Sequence, residues 1–237
     1  MRFADALAPR RIRGVEYLDN PATPDDVRLR SMADVARSNA LFGGRAAVLT
    51  AVRAVIPSLP HVVSVLDVGT GHGEIAGLVR RELEATGRTA RVMGVDIAES
   101  VARAGGRLLD GAITATALRL PLRDASVDLV TCSQLLHHFT AAEALVVIAE
   151  LHRVSRGWVV VADLRRSRAA AAGFWLASLA LGFHPVTRHD GVVSVLRGFT
   201  EAELETLVSE SSGARPVMRR GVFWRVSATW RAGRTGT

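Results

Sequence analysis

The residues best suited to chemistry begin with a glycine-rich turn that follows a short apolar run. The run, residues 62–68, carries Asp67 near its end, and the turn GTGHG follows it at 69–73. Its three glycines let the backbone turn tightly and bring bare amide groups close to a ligand. The spacing is Gly-x-Gly-x-Gly, whereas dinucleotide-binding proteins use Gly-x-Gly-x-x-Gly. An acid at position 67 indicates a turn that receives an ammonium-bearing ligand rather than a pyrophosphate. The alternative is a purely structural turn.

A second acidic residue ends the next apolar run. Asp96 closes residues 91–96, and Ile97 follows it directly. A carboxylate at the tip of such a strand can accept hydrogen bonds from both hydroxyls of a ribose, and Ile97 can lie against a purine. The alternative is that Asp96 only caps the helix predicted to follow.

Histidines occur in two further segments that could supply a base. His137 and His138 follow the fourth predicted strand, and the segment 182–200 carries His189 next to Asp190. Histidine suits proton abstraction from an acidic acceptor near neutral pH. The alternatives are a packing or capping role for the histidine pair and a solvated connection at 182–200.

The elements that must position these residues alternate between strand and helix. Apolar β-branched runs predict strands, and apolar residues at helical spacing predict helices. Thr140 with Glu143, and Thr200 with Glu203, form capping boxes that mark two helix starts. Alternation of this kind implies a parallel sheet with helices on both faces, which binds ligands at the carboxyl ends of its strands. The predicted strands are 62–68, 91–96, 112–118, 126–133 and 158–164, with a terminal hairpin of 215–220 and 222–231; the predicted helices are 25–40, 43–56, 75–86, 100–109, 141–154, 168–182 and 201–210.

Composition excludes several other classes of protein. The chain has 237 residues, 49% hydrophobic, and its one cysteine excludes a disulfide framework and a cysteine-based zinc site. The longest apolar stretch, 169–183, is shorter than the about 20 residues that span a bilayer, and the N-terminus lacks a signal-peptide core, so we expect a cytoplasmic protein. The net charge is +7 and every basic residue is arginine. Because the arginines are scattered, we expect no nucleic-acid partner.

The segment 115–139, ATALRLPLRDASVDLVTCSQLLHHF, completes a recognisable pattern. With the two acidic strand ends, it resembles the class I S-adenosylmethionine-dependent methyltransferases that act on small molecules, over about residues 61–165. The resemblance implies a doubly wound seven-stranded sheet in the order 3-2-1-4-5-7-6, with the last strand antiparallel. It also implies S-adenosylmethionine as cofactor and S-adenosylhomocysteine as product.

The same resemblance assigns cofactor-binding residues. The methionine half would be surrounded by Asp67, Gly69, Thr70, Gly71 and Gly73. Asp96 would hold the ribose and Ile97 would pack on adenine, whose edge Thr116, Ala117 and Leu118 would border, while Ser133 would lie near the sulfonium. The family often has an acid at position 116, so threonine there weakens the adenine assignment locally. No Asn/Asp-Pro-Pro-Tyr motif follows the fourth strand, which argues against methylation of nucleobase amino groups.

The acceptor side is predicted from the remaining segments. Residues 1–60 resemble a helical lid, and 61–237 would form the cofactor-binding domain with a substrate-binding insertion around 165–200. The residues assigned to the acceptor are Arg37, Asn39, Phe42, Trp175, His184 and Arg197, and those assigned to catalysis are His137, His138 and His189. The alternatives are ordinary helix packing for the lid segment and for the apolar helix 168–182.

The sequence thus predicts methyl transfer to a small molecule, with no metal and with the oligomeric state left open. A further resemblance, to bacterial methyltransferases associated with type III polyketide synthases, implies O-methylation of a phenolic acceptor. The alternatives are C-methylation of a quinone or polyketide precursor, and a non-catalytic module that only binds the cofactor. An NAD-dependent oxidoreductase is excluded by the glycine spacing and by the lack of a Tyr-x-x-x-Lys pair, since the chain has no lysine.

Overall fold

A twisted seven-stranded sheet organises the computed structural model, which describes residues 8–20, 22–98 and 109–233. The strand order is 3-2-1-4-5-7-6, as predicted. Strands β1 to β5 are parallel, and β7 is antiparallel to both β5 and β6. The strands are β1 (Val62–Val68), β2 (Thr89–Asp96), β3 (Gly111–Thr114), β4 (Val127–Ser133), β5 (Ser155–Leu164), β6 (Val217–Gly221) and β7 (Arg225–Arg231).

The helices of the described residues lie on both faces of this sheet. Both predicted capping boxes are present, Thr140 with Glu143 and Thr200 with Glu203. The helix predicted at 100–109 falls almost entirely outside the described residues. The helices are α1 (Asp25–Leu41), α2 (Gly44–Val55), α3 (Glu74–Glu84), α4 (Ala141–Val154), α5 (Arg168–Ala180), α6 (Pro185–Arg197) and α7 (Glu201–Ser212).

None of the helices in the described ranges is by itself long and apolar enough to cross a membrane. Residues 25–41 and 44–58 together reach that length and composition, with a bend of 56° at their junction.

Two segments differ from the sequence prediction. The third strand ends at Thr114 rather than at 118. The segment expected to connect two helices at 182–200 is itself largely the helix α6, which Pro185 begins and whose N-cap is His184. The sequence does not show the apolar spacing of a helix here, because two of the buried positions hold the polar residues Thr187 and Asp190.

Two apolar clusters hold the sheet, one on each face. Along β1, Leu66 and Val68 belong to the cluster with α4 and α7, whereas Val63 and Val65 belong to the cluster with α2 and α3. Alternate residues of a strand point to opposite faces, which accounts for this division. Helix α2 therefore packs on the face of the sheet that carries Val63 and Val65, and the covering role expected of residues 1–60 stays a prediction.

Residues 8–20, the N-terminal strap, cross the edge where β4 and β5 end. Arg11 Nη2 donates to the carbonyls of His137 (3.1 Å) and Phe139 (2.6 Å), just after β4. Arg166 Nε, after β5, donates to the carbonyl of Pro9 at 2.6 Å. Hydrogen bonds to charged groups are among the stronger ones in proteins, so the strap is fixed over this edge despite having little regular structure.

Candidate active site

A cleft of about 340 Å³ opens at the carboxyl edge of the sheet. It has two halves, which we name by their chemistry. The glycine-loop half is formed at the ends of β1 and β2, and the cleft is lined there by Asp67, Gly69, Thr70, Gly71 and Asp96. The histidine half lies beyond the ends of β4 and β5, and the residues of interest there are Glu16, Asn39, Ser133, Gln134, His137, His138, Phe174, Asp190, Ser194 and Arg225.

The glycine loop takes a conformation that requires glycine. Gly69, Gly71 and Gly73 have φ of 74°, 54° and 75°, in the left-handed region that side chains disfavour. A Cβ on Gly69 would lie 2.9 Å from Leu135 Cδ2, whereas one on Gly71 would meet no atom within 4 Å. The amides of Gly69 and Thr70 donate to the carbonyl of Val95, at 2.8 and 3.0 Å. The loop is thus tied to β2, with open space beside Gly71.

Asp96 organises the loop from the end of β2. Its Oδ2 accepts from the amide of Gly71 at 3.0 Å, and its Oδ1 accepts from the amide of Ala98 at 3.0 Å. This carboxylate therefore caps the following residues and also faces the cleft, so the capping alternative and a ligand-binding role are compatible.

Asp67 is the buried acid of this half. Asp67 is only 2% exposed to solvent, and Thr131 Oγ1 donates to its Oδ1 at 2.6 Å. Burial raises the pKa of Asp67 to about 6, and the nearby charge of Asp96 acts in the same direction. A cationic group beside Asp67 would relieve this cost, because a buried carboxylate is stabilised by an opposite charge.

The donors and acceptors of this half fit S-adenosylmethionine. The amino group of such a ligand suits Asp67, and its ribose hydroxyls suit Asp96. Ser133 Oγ, at the end of β4, is buried and has no hydrogen-bond partner among the described residues, although buried polar groups normally have one. A ligand reaching from the loop to β4 would pass this hydroxyl.

The residues predicted to border adenine lie next to Asp96 in the fold. The amide of Ala115 donates to the carbonyl of Asp96 at 3.0 Å, and Thr116 Oγ1 accepts from the amide of Leu118 at 3.2 Å. Ala117 and Leu118 pack on the apolar core, and Ile97 is 76% exposed. Neither Ile97 nor the three residues Thr116, Ala117 and Leu118 line the cleft, so their roles at the adenine stay predictions.

His137 is the most constrained side chain of the histidine half. It is 4% exposed, and its Nδ1 lies 2.7 Å from Asp163 Oδ1, at the end of β5. Its amide also donates to Asp163 Oδ2, at 3.1 Å. Burial alone would raise the pKa of Asp163, but its interactions with His137 and with the amide of Leu164 lower it below its ordinary value. An ionised Asp163 places a proton on His137 Nδ1, which leaves Nε2 as the acceptor nitrogen.

His138 and Glu16 lie beside this pair. His138 Nδ1 is 3.9 Å from Glu16 Oε2, and the two histidine rings are 4.3 Å apart. Glu16 Oε1 accepts from Ser194 Oγ at 2.8 Å and from Arg197 Nη1 at 2.9 Å. Glu16, His137 and His138 have potential ligand atoms within 4.8 Å of one another. Glu16 is already paired with Arg197, and its 3.9 Å approach to His138 is an ion-pair distance rather than a hydrogen bond.

His189 lies on α6 and His184 is the N-cap of that helix, and neither histidine lines the cleft. His189 Nδ1 is 2.9 Å from Asp190 Oδ1, and its ring meets that of Tyr17 edge-on at 4.7 Å. Asp190 also accepts from the amides of Tyr17 and Leu18, each at 2.9 Å, so it anchors the strap. His184 Nδ1 accepts from the amide of Val186 as an N-cap.

The other residues predicted to contact the acceptor are distributed unevenly. Asn39 lines the cleft and accepts from Gln134 Nε2 at 2.6 Å. Phe42 packs against Phe174, which does line the cleft. Trp175 is 47% exposed. Arg37 is 3.6 Å from Asp34 and lies over the ring of Phe183.

Sequence reasoning missed four cleft or near-cleft residues of consequence: Glu16, Gln134, Asp163 and Arg225. Two of them carry a signal, because Asp163 is the charged residue of the apolar run 158–164 and Arg225 is a charged residue within the predicted strand 222–231. Glu16 and Gln134 carry none, since only the fold brings them to the cleft.

Residues 66–161 match a protein family described as "Methyltransferase domain". No curated protein matches the chain. A SAM-dependent methyltransferase from Aquifex aeolicus is 16% identical with a TM-score of 0.59, over 89% of this chain and 98% of its own. A candidate O-methyltransferase from Nostoc punctiforme is 18% identical with a TM-score of 0.64, over 96% and 66%.

Magnesium protoporphyrin IX methyltransferase from Synechocystis, solved with bound S-adenosylhomocysteine, is 16% identical with a TM-score of 0.56, over 90% of each chain.

Proposed function

We propose an acceptor and a catalytic base for this chain, which is a class I S-adenosylmethionine-dependent methyltransferase. The proposed reaction is O-methylation of a small molecule that carries an acidic hydroxyl group, of the phenolic or polyketide type. The observation that carries this proposal is the His137–Asp163 pair, set into the same cleft as the glycine loop.

S-adenosylmethionine is the cofactor, and when bound it supplies an electrophilic methyl group on a sulfonium. We propose that Asp67 pairs with its amino group and that Asp96 accepts from its ribose hydroxyls. These residues bind and orient, and none of them exchanges a proton with the acceptor.

His137 is suited to remove the proton of a hydroxyl acceptor. Its Nε2 would take the proton as the oxygen bonds to the methyl carbon and the bond from that carbon to the sulfonium sulfur breaks, and Asp163 would stabilise the resulting imidazolium. A phenol, with a pKa near 10, loses its proton at neutral pH only with such help. The proton then passes from His137 to solvent, which restores the neutral ring.

The lining of the histidine half favours a small aromatic acceptor. The whole cleft, of about 340 Å³, is at the lower end of typical small-molecule sites, so the space left for an acceptor beside the cofactor is small. Phe174 offers an aromatic face on which a ring can stack edge-on or offset. The similarity to a candidate O-methyltransferase supports the choice of oxygen. C-methylation of an acidic carbon would use the same base, so analysis of the product distinguishes the two reactions.

The test is transfer of a labelled methyl group from S-adenosylmethionine to a panel of phenols and polyketide-derived aromatics. We expect a methyl ether, identified by mass and by the chemical shift of the methyl group. A product methylated on carbon would replace the proposed acceptor atom, and transfer to none of the phenols would refute the acceptor class.

The base is tested on an acceptor found in this way. We expect His137→Ala to lower turnover about 10²-fold to 10⁴-fold, with S-adenosylhomocysteine affinity within two-fold of wild type. Asp163→Asn should lower turnover less, because Asp163 positions His137 without touching the acceptor. His61→Ala, at the opposite edge of the sheet, is the matched control. Near-normal turnover of His137→Ala would mean that alignment alone drives the reaction.

A further inference from the structure

Arg225 begins β7 at the carboxyl edge of the sheet, beside Leu164 of β5. It is 4% exposed, yet it belongs to the lining of the cleft. A buried guanidinium facing a ligand cavity calls for an account of what balances its charge, because an unpaired buried charge is costly.

The partners that the fold gives Arg225 are all neutral. Nε donates to the carbonyl of Phe42 at 2.9 Å, and Nη1 donates to Gln134 Oε1 at 2.8 Å. No carboxylate of the described residues lies within ion-pair distance of it. Burial lowers the pKa of Arg225 to about 10, and the more distant Asp163 opposes this only in part. Both N–H groups of Nη2 and one of Nη1 have no described partner.

A rigid support holds the guanidinium in place. Gln134 has φ of 52°, a conformation that side chains rarely adopt, and its amide donates to the carbonyl of Ala162 at 2.8 Å. Its Nε2 in turn donates to Asn39 on α1. A strained residue that links α1 to Arg225 indicates a position fixed for binding.

The position of Arg225 belongs to the histidine half of the cleft. Strands β4 and β5 lie between β7 and β1, which separates the strand axes by roughly 14 Å. The side chain reaches back as far as Gln134, which directly follows β4. The groups nearest to it along the edge are therefore those of the acceptor site rather than Asp96 at the end of β2.

We propose that Arg225 is an anion receptor and that the methyl acceptor carries a carboxylate, which the free N–H groups of Arg225 bind. An arginine fork matches the two oxygens of a carboxylate. The inference rests on the proposed function, because it concerns the acceptor of that reaction. It adds that the acceptor is a hydroxy acid rather than a neutral phenol.

The test uses the full chain saturated with S-adenosylhomocysteine, so that the cofactor's own carboxylate is already bound. Titration calorimetry compares 4-hydroxybenzoate with 4-hydroxybenzamide, and 4-hydroxyphenylacetate with its amide. We expect at least one carboxylate to bind the wild type ten-fold or more tightly than its amide. That preference should fall below two-fold in Arg225→Gln and be kept in part by Arg225→Lys. Arg219→Gln, which removes an exposed charge from the neighbouring strand β6, should keep the full preference.

Two outcomes would overturn the proposal. If the wild type binds carboxylates and amides equally, Arg225 is not an anion receptor for the acceptor, and methyl transfer to a neutral phenol would still support the proposed function. If Arg225→Gln weakens S-adenosylhomocysteine ten-fold but leaves 5′-methylthioadenosine unchanged, Arg225 serves the cofactor's carboxylate instead. Should Arg225→Gln fail to fold, equal binding of carboxylate and amide by folded Arg225→Lys would also reject the proposal.

Discussion

The two halves of the cleft are built in different ways. The glycine-loop half comes from two strand ends and the turn that follows one of them, with the amides of Gly69, Thr70 and Gly71 tied to β2. The histidine half joins residues far apart in the chain, such as Glu16 with Ser194 and Arg225 with Gln134. The first half is a local motif, and the second exists only when the whole chain has folded.

This difference explains why one half carries a recognisable signature and the other does not. The proposed cofactor contacts need one backbone turn and two acids at strand ends, which are close together in the sequence. The proposed acceptor contacts come from the strap, α1, α6 and β7, which are far apart in the sequence. We therefore expect changes in the two halves to have separable effects.

The largest expected effect on cofactor binding is that of Asp96→Ala. This change removes the charged acceptor proposed for the ribose hydroxyls and releases the amide of Gly71. Loss of a hydrogen bond to a charged group costs about 1.5–3 kcal/mol, so S-adenosylhomocysteine should bind about 10-fold to 100-fold more weakly by calorimetry. Asp124→Ala, which removes an exposed carboxylate, should bind as the wild type does. Unchanged affinity in Asp96→Ala would refute the ribose assignment.

A second effect, on stability rather than on cofactor binding, is the pH dependence conferred by Asp67. Because its folded pKa is about 6, above the value of about 3.9 for an unfolded chain, its contribution to stability is present below about pH 4. It is lost as the pH rises through about 6, and amounts to on the order of 2–3 kcal/mol. Urea unfolding of the cofactor-free protein should show the stability of wild type relative to Asp67→Asn decreasing from pH 4.5 to 7.5. A relative stability that increases over this range would contradict the pKa assignment.

The smallest effect on cofactor binding is expected from the strap. Arg11→Ala removes the bonds to the carbonyls of His137 and Phe139 and a contact 4.0 Å above the ring of Phe199. The melting temperature should fall by several degrees, while S-adenosylhomocysteine affinity changes less than two-fold. A loss of affinity as large as that of Asp96→Ala would show that the strap is part of the cofactor site.

The sheet and most of the helices could be predicted from the sequence, because alternating apolar runs and capping boxes are local features. The strand order followed from the resemblance, and the structure confirms it. The helix α6 was missed because Thr187 and Asp190 occupy buried positions where apolar residues would be expected. The role of the histidine pair could be proposed from sequence, but not its partner Asp163, since that contact depends on how β4 and β5 align.

The same reasoning accounts for Arg225. A charged residue at the start of a predicted strand is visible in the sequence, but its neutral partners Phe42 and Gln134 are contributed by other parts of the chain. Only the fold shows that no carboxylate of the described residues pairs with it.

The separation of the two halves is tested most directly by titrating S-adenosylhomocysteine into wild type, Asp96→Ala and His137→Ala under identical conditions. The account predicts that Asp96→Ala loses at least ten-fold in affinity, whereas His137→Ala stays within two-fold of the wild type. Equal losses in the two variants, or a loss confined to His137→Ala, would contradict it.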